Sequence, residues 1–419
     1  MFTSSGCRYA VLAILAFAPC CSAAANQCCK YSPTATFDTL GFFRSLHKEH
    51  GVNAYCFFGG LVGAKDTYAL TFLIQKVPPF LSIVPVYELG GGFNTKTIQT
   101  YDLDASVTVS ATVEGGDGKK PWTAQSSSLL TGFELSVSAV GDSAVPGQAG
   151  VGYDLKVHSK KKDFDIVVRF RDMMGVVRQG FGPDGFLPNW LSEEQRDAAN
   201  SKFGGAVDRY LAGTPNATLD CQGSYYFSMP LLQVESFEIQ QAGKVVDSGK
   251  SGMLWSDYVV QTYDDKGKAL LKNVSWQFFA LQFPDVRSAM MITAVNTADG
   301  VFQEASLFQG SGDNRTTWTL DNVKISPRGQ PWTSPASHDR YYLSYDVTMK
   351  NPDAQVSLEV EWPEQEVGLG KIFKYEGLAR ATARWPGGGS SHGTGWVELQ
   401  PLGPVEGRSS GRLSSILFT

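Results

Sequence analysis

Histidine is scarce in this chain, with five residues in 419: His47, His50, His158, His338 and His392. His47 and His50 stand three apart with no further ligand types around them, so no metal spacing forms. No C-x-x-C pair occurs, which disfavours zinc and thioredoxin-like chemistry. There is no excess of basic residues. Lysine and arginine number 36 against 41 acidic residues, a formal net charge of −5. That balance argues against nucleic acid or an anionic membrane surface as partner. No run approaches the ~20 apolar residues that a membrane-spanning helix needs. The residues therefore imply no metal, no cofactor, no nucleic acid and no membrane span.

What long apolar character exists lies at the start. Arg8 is the only charge before the run Ala10–Ala18, and the small residues Ser22, Ala23, Ala24 and Ala25 follow. A charged start, a short apolar core and an Ala-x-Ala-type end form a secretory signal peptide over residues 1–25. Three acceptor sequons agree with export, at Asn216, Asn273 and Asn314. Four cysteines remain after the signal: Cys28, Cys29, Cys56 and Cys221. An even count in an oxidising compartment favours disulfides, and four cysteines allow three connectivities. Adjacent Cys28 and Cys29 are poorly placed to bond each other, so the expectation joins them to Cys56 and Cys221.

Aromatics (12%) and glycine (44 residues) are plentiful, the profile of a β-rich protein with many turns. Alternating apolar runs mark strands at Ala54–Leu61 and Thr67–Val77, a hairpin around the polar turn Gly63–Asp66. Others fall within residues 106–113, 132–140, 152–157 and 164–170. A second series runs from 233–240, 250–255, 275–283, 287–296 and 302–307 through 322–325, 342–349, 355–362, 374–384 and 395–399. One segment breaks the pattern: Ser192-Glu193-Glu194-Gln195 is a capping box, and the spacing predicts helix over Trp190–Leu211. The expected architecture is all-β, two consecutive antiparallel barrel or sandwich domains with a short helical insertion. The expected divisions are an N-terminal domain over 26–220, a C-terminal barrel over 221–403 and a polar tail over 404–419.

The richest chemistry lies in Gly223–Ser228 and Met253–Tyr258. Tyr225, Tyr226 and Phe227 crowd the first segment. The second sets Asp257 among Trp255 and Tyr258. Trp255 and Asp257 lie two apart and so face the same side of a strand. An acid facing an aromatic-lined interior keeps its proton and can donate it to an apolar substrate.

The order of motifs carries a family resemblance. Tyr225-Tyr226-Phe227, Trp255-Ser256-Asp257 and Trp276–Gln282 are followed by Pro331–Pro335, Tyr375-Glu376-Gly377 and Gly395–Leu399, with a fainter counterpart in Ala54–Leu61. This order resembles the lipocalin-like superfamily of carotenoid hydratases, AttH proteins, fungal kievitone hydratases and fungal Diels–Alderases. The resemblance implies two calycin-like domains around an apolar substrate. It places the catalytic acid at Asp257, with Tyr225 and Tyr258 beside it. It makes Tyr226, Phe227, Trp255, Trp276, Phe278, Glu376 and Trp396 substrate-binding candidates. The hydratases' histidine and tryptophan on the earlier aromatic strand are replaced here by Tyr225-Tyr226-Phe227. That favours a Diels–Alder or hetero-Diels–Alder cyclase over a hydratase. A carrier of an apolar metabolite is the non-catalytic alternative.

Overall fold

The computed structural model describes residues 52–76, 88–91, 99–100, 110–115, 120–128, 133–141, 143–160, 163–180, 224–261, 275–297, 300–311, 314–369 and 372–399. Within them the protein is nearly all β, as the alternation predicts, with two single-turn 3-10 helices at Pro284–Val286 and Leu320–Asn322. Its strands form antiparallel sheets of thirteen and ten strands and a two-stranded ribbon, Trp332–Thr333 with Arg340–Tyr341. The expected signal peptide, Cys28, Cys29, Cys221, the expected helix over 190–211, Asn216, Asn273 and the expected tail over 404–419 lie outside the described residues. So does the side chain of Tyr225.

The first sheet is centred on four long strands, ordered Val52–Val62, Ser251–Gln261, Ser224–Gln241 and Phe164–Asp172. Beyond Val52–Val62 lies Thr67–Lys76, and the far strand Ser110–Glu114 packs back against it, so the sheet nearly closes on itself. The second sheet runs from Arg315–Thr319 through Ser275–Phe283, Ser390–Leu399 and Ile372–Arg384 to Val323–Pro327. Residues 224–261 thus belong to the first sheet, and the second begins at Ser275, later than the 220/221 division expected from the sequence. The reason is pairing. Ser224–Gln241 and Ser251–Gln261 fill the space between Val52–Val62 and Phe164–Asp172, whose edges would otherwise stay unpaired.

Alternation sorts the side chains into three apolar clusters. Tyr55, Phe57 and Leu61 point into the first sheet's core with Leu254, Tyr258 and Phe227. Phe279, Leu281 and Phe283 point into the second sheet's core. The opposite faces of those same strands are apolar as well, because they cover each other. Phe58, Met253 and Trp255 of the first sheet join Trp276, Phe278, Ala280, Leu378 and Trp396 of the second in one buried cluster. Gln282 crosses this junction, donating to the Leu254 carbonyl at 2.6 Å and the Pro230 carbonyl at 3.0 Å. Gly60 permits the close approach, since a Cβ there would stand 2.9 Å from the Leu378 side chain.

Cys56 carries a free thiol, which removes it from the expected disulfides. It lies on the outer face of Val52–Val62, the face turned to the second sheet. Asn314 is exposed in the turn after Gly300–Gln309.

Candidate functional site

The candidate site lies where the two sheets meet, and register builds each of its walls. On the first sheet Cys56 pairs with Asp257, and Asp257 pairs with Ser228, so these three side chains form one row across three strands. Phe58 and Trp255 form the neighbouring row. On the second sheet Glu376 pairs with Glu398 and Glu398 with Phe278, while Leu378, Trp396 and Ala280 form the next row. Phe58 joins the walls. Its ring centre lies 6.5 Å from Trp255, 6.2 Å from Phe278 and 5.7 Å from Trp396.

Asp257 is buried and bonded on both oxygens. Its Oδ1 accepts from the Ser228 hydroxyl at 2.6 Å and the Trp255 indole at 2.5 Å. Its Oδ2 is bonded to the Tyr226 hydroxyl. Burial pushes the acid up to about 7. The bonds from Ser228, Tyr226 and Trp255 oppose this, and the negative charge of Glu398 adds to it. Tyr226 is raised well above the usual phenol range by burial and by Asp257, so it keeps its proton. Burial, then Asp257, also raises the Cys56 thiol, which makes it a poor nucleophile.

The facing wall has a different chemistry. The Lys374 ammonium pairs with Glu376 and lies 3.4 Å from Glu398. Burial works against its charge, but Glu376 and Glu398 more than reverse that and hold it charged. Glu376 is raised by burial and by Glu398, while Lys374 pulls it down. Each glutamate also accepts one indole. Trp276 donates to Glu398 at 3.0 Å, and Trp396 donates to Glu376. With Trp255 on Asp257, three tryptophans have their only polar atoms occupied by acids. Their faces pack within the apolar cluster between the sheets.

The structure brings Tyr226, Trp255, Asp257, Trp276, Phe278, Glu376 and Trp396 to the junction of the two sheets. It corrects two others. Tyr258 stacks on Tyr55 with ring centres 4.2 Å apart inside the first sheet, and Phe227 packs beside it. Both sit one residue out of phase with the acid and therefore face away from it. Ser228, Lys374, Glu398, Cys56 and Phe58 are added. Ser228 shared the phase of Tyr226 and could have been found on that signal. Lys374 had no local sign, because its partner Glu398 lies across a strand pairing. Among the described residues no three of His, Cys, Asp and Glu come together as a metal site. No described helix is long and apolar enough to cross a membrane.

Comparison with known proteins bears on the fold. Residues 213–401 match the family model described as AttH-like. A search of curated proteins by sequence finds no match. Among solved structures, a protein described as an AttH from Nitrosomonas europaea superposes with TM-score 0.56 at 16% identity, covering 87% of this chain and 97% of that one. Kievitone hydratase from Nectria haematococca gives TM-score 0.56 at 11% identity, covering 88% and 94%. CghA with Sch210972 gives TM-score 0.51 at 11% identity, covering 84% and 89%. At these identities the likeness is one of fold.

Proposed function

We propose an enzyme that cyclises an uncharged, apolar, oxygen-bearing small molecule in a Diels–Alder or hetero-Diels–Alder reaction; the match of residues 213–401 to the AttH-like family model and the fold shared with a described AttH protein and kievitone hydratase support an enzyme of this superfamily. The observation that carries this reading is the Asp257–Tyr226 pair on an aromatic wall. Oδ1 of Asp257 already accepts two bonds, so in the acid form it is the carbonyl oxygen and the proton sits on Oδ2. In the structure the Tyr226 hydroxyl donates to Oδ2; when Oδ2 carries the proton the bond reverses, Oδ2 donates to the Tyr226 oxygen, and the Tyr226 O–H is released to bond a bound molecule.

A donor of this kind suits a pericyclic reaction, which requires no nucleophile. The aromatic rings of Phe58, Trp255, Phe278 and Trp396 fold the polyene toward its reactive shape. The Tyr226 hydroxyl lowers the barrier by bonding a carbonyl or heterodiene oxygen. The same relay supplies a proton when a hydroxyl must leave first: the C–O bond breaks, water departs with the Tyr226 proton, Asp257 refills Tyr226, and the proton that the substrate's own phenol or enol releases as the heterodiene forms returns to the Asp257 carboxylate. Among the described site residues the single cation, Lys374, is taken up by two glutamates. The site therefore favours a neutral molecule over a carboxylate. The signal peptide and sequons support a secretory location for this chemistry.

Incubation of the purified protein with candidate polyenes and prenylated phenols, followed by mass spectrometry, tests the reading. Intramolecular cyclisation leaves the mass unchanged, and dehydrative coupling gives the sum of the partners less one water. A gain of one water replaces this reading with a hydratase in which the relay protonates a double bond. Binding without any mass change or new isomer replaces it with a carrier.

A further inference from the structure

Glu376 and Glu398 face each other directly across Ile372–Arg384 and Ser390–Leu399, an arrangement that repels when both are charged. Lys374 lies on the same strand face two residues from Glu376 and contacts both carboxylates. Each carboxylate holds one indole of the site, Trp396 on Glu376 and Trp276 on Glu398. We propose that Lys374 is a positioning residue: as the shared counter-ion of two opposed glutamates it keeps both as acceptors, and through them fixes the Trp276 and Trp396 rings that wall the site.

The argument is one of charge and directionality. With the ammonium present, both carboxylates accept, and each indole N–H has one defined partner. Without it, the two carboxylates of this cross-strand contact repel, and the buried Glu376 takes up a proton more readily. That proton turns one acceptor oxygen into a donor, so one indole loses its fixed partner. The other groups facing the pair are Cys56, Asp257 and Tyr226 from the first sheet. None is cationic, so none replaces Lys374. The role in walling a substrate rests on the functional reading above, but the test needs no substrate and can fail or succeed independently of it.

The indole N–H resonances of ¹⁵N-tryptophan-labelled protein report the two contacts, assigned with Trp276→Phe and Trp396→Phe. Trp318 is the internal control, since its indole donates to the Pro352 carbonyl away from this cluster. In Lys374→Met the pH midpoint sensed by the Trp396 resonance should move alkaline by at least about one unit, the scale of a lost opposite charge at contact. Trp318 should not move. Lys374→Arg should keep the midpoint within a few tenths of wild type. The double variant Lys374→Met/Glu376→Gln should abolish that titration and restore the Trp276 resonance. An unchanged midpoint in Lys374→Met overturns the proposal. So does a Lys374→Arg protein as displaced as the Met variant, or a double variant that leaves Trp276 displaced.

Discussion

Asp247 and Asp257 stand ten residues apart in one sheet, both buried and both multiply hydrogen-bonded, and they titrate in opposite directions. Asp247 sits at the sheet rim and accepts from backbone amides of Ala64, Lys65, Asp66 and Ser248 and from the Tyr68 hydroxyl. Burial alone would raise it, but the amides of Ser248, Lys65 and Asp66 and the Tyr68 hydroxyl outweigh that and hold it below the usual carboxylate range. Asp257 accepts from three neutral side chains within an apolar cluster, and there burial wins. The difference is the supply of fixed dipoles. Amides at a turn solvate a charge as water would, whereas two hydroxyls and an indole among aromatic rings do so only in part. One carboxyl is an anchor and the other is a stored proton.

The sharpest way to break this contrast is to remove each acid. Asp257→Ala should cost about 10² to 10³ in kcat, the scale for a preorganised donor. Asp257→Asn should keep much of the activity if the reaction needs only a hydrogen bond. It should fail like Ala if a proton must move. Wild-type turnover in both would take Asp257 out of the mechanism. Asp247→Ala should leave kcat within a few-fold and instead lower the unfolding free energy by about 3 kcal/mol, since several buried donors lose a charged acceptor at once. Urea unfolding and turnover measured on the same preparations separate the two acids.

The pH dependence of stability should differ in sign. A folded-state pKa raised to about 7 means that native Asp257 keeps a proton the unfolded chain has released. Its share of stability is therefore complete below about pH 4 and is lost as pH rises from about 4 to about 7. Asp172 and Glu304, both buried and pushed up to about 7, add to the same decline. Asp257→Asn should flatten the slope by at most about 1.4 kcal/mol per pH unit. Asp247 works the other way: its contribution is present above about pH 4 and is lost in acid. Melting temperatures of wild type and Asp257→Asn at pH 5 and pH 8 decide the point. An equal gap between the two proteins at both pH values would mean that Asp257 is ionised in the native state.

Much of this was legible in the chain, and the limits have a physical cause. The hairpin Val52–Val62 with Thr67–Lys76 and the strand Ser275–Phe283 follow from alternation and turn chemistry, which are local. The shared face of Trp255 and Asp257 follows from the same period of two. The resemblance puts Tyr258 and Phe227 in the site, whereas the phase that places Asp257 at the sheet junction turns both inward. The membership of Ser224–Gln261 in the first sheet was not legible, because it is fixed by pairing with Val52–Val62, far back in the chain. Lys374 was missed for the same reason. Its meaning lies in Glu398, which only strand register brings beside it. Strand existence is local, but strand order and the charges it juxtaposes are not.

The smallest expected effect comes from trimming the dipoles around Asp257 without touching the acid. Ser228 donates to Oδ1 and favours the ionised form, so Ser228→Ala removes a restraint on the pKa rather than a catalytic group. One hydrogen bond to a carboxylate is worth about 1.5 kcal/mol or somewhat more, and 1.36 kcal/mol is one pKa unit. The pKa of Asp257 should then climb from about 7 by up to about one unit. If the protonated acid is the active form, activity declines above that pKa, and the variant should stay active about one pH unit further into alkali. Below pH 6 the two proteins should turn over within a few-fold of each other, because both hold the proton there. Trp255 still donates to Oδ1 in the variant, so the acid's orientation and its contact with Tyr226 are kept. A kcat–pH profile at half-unit steps checks this. An alkaline limb that stays put would mean that it reports some group other than Asp257. A limb that moves toward acid would mean that Ser228 supports the protonated form, and the comparison with Asp247 would then rest on burial alone.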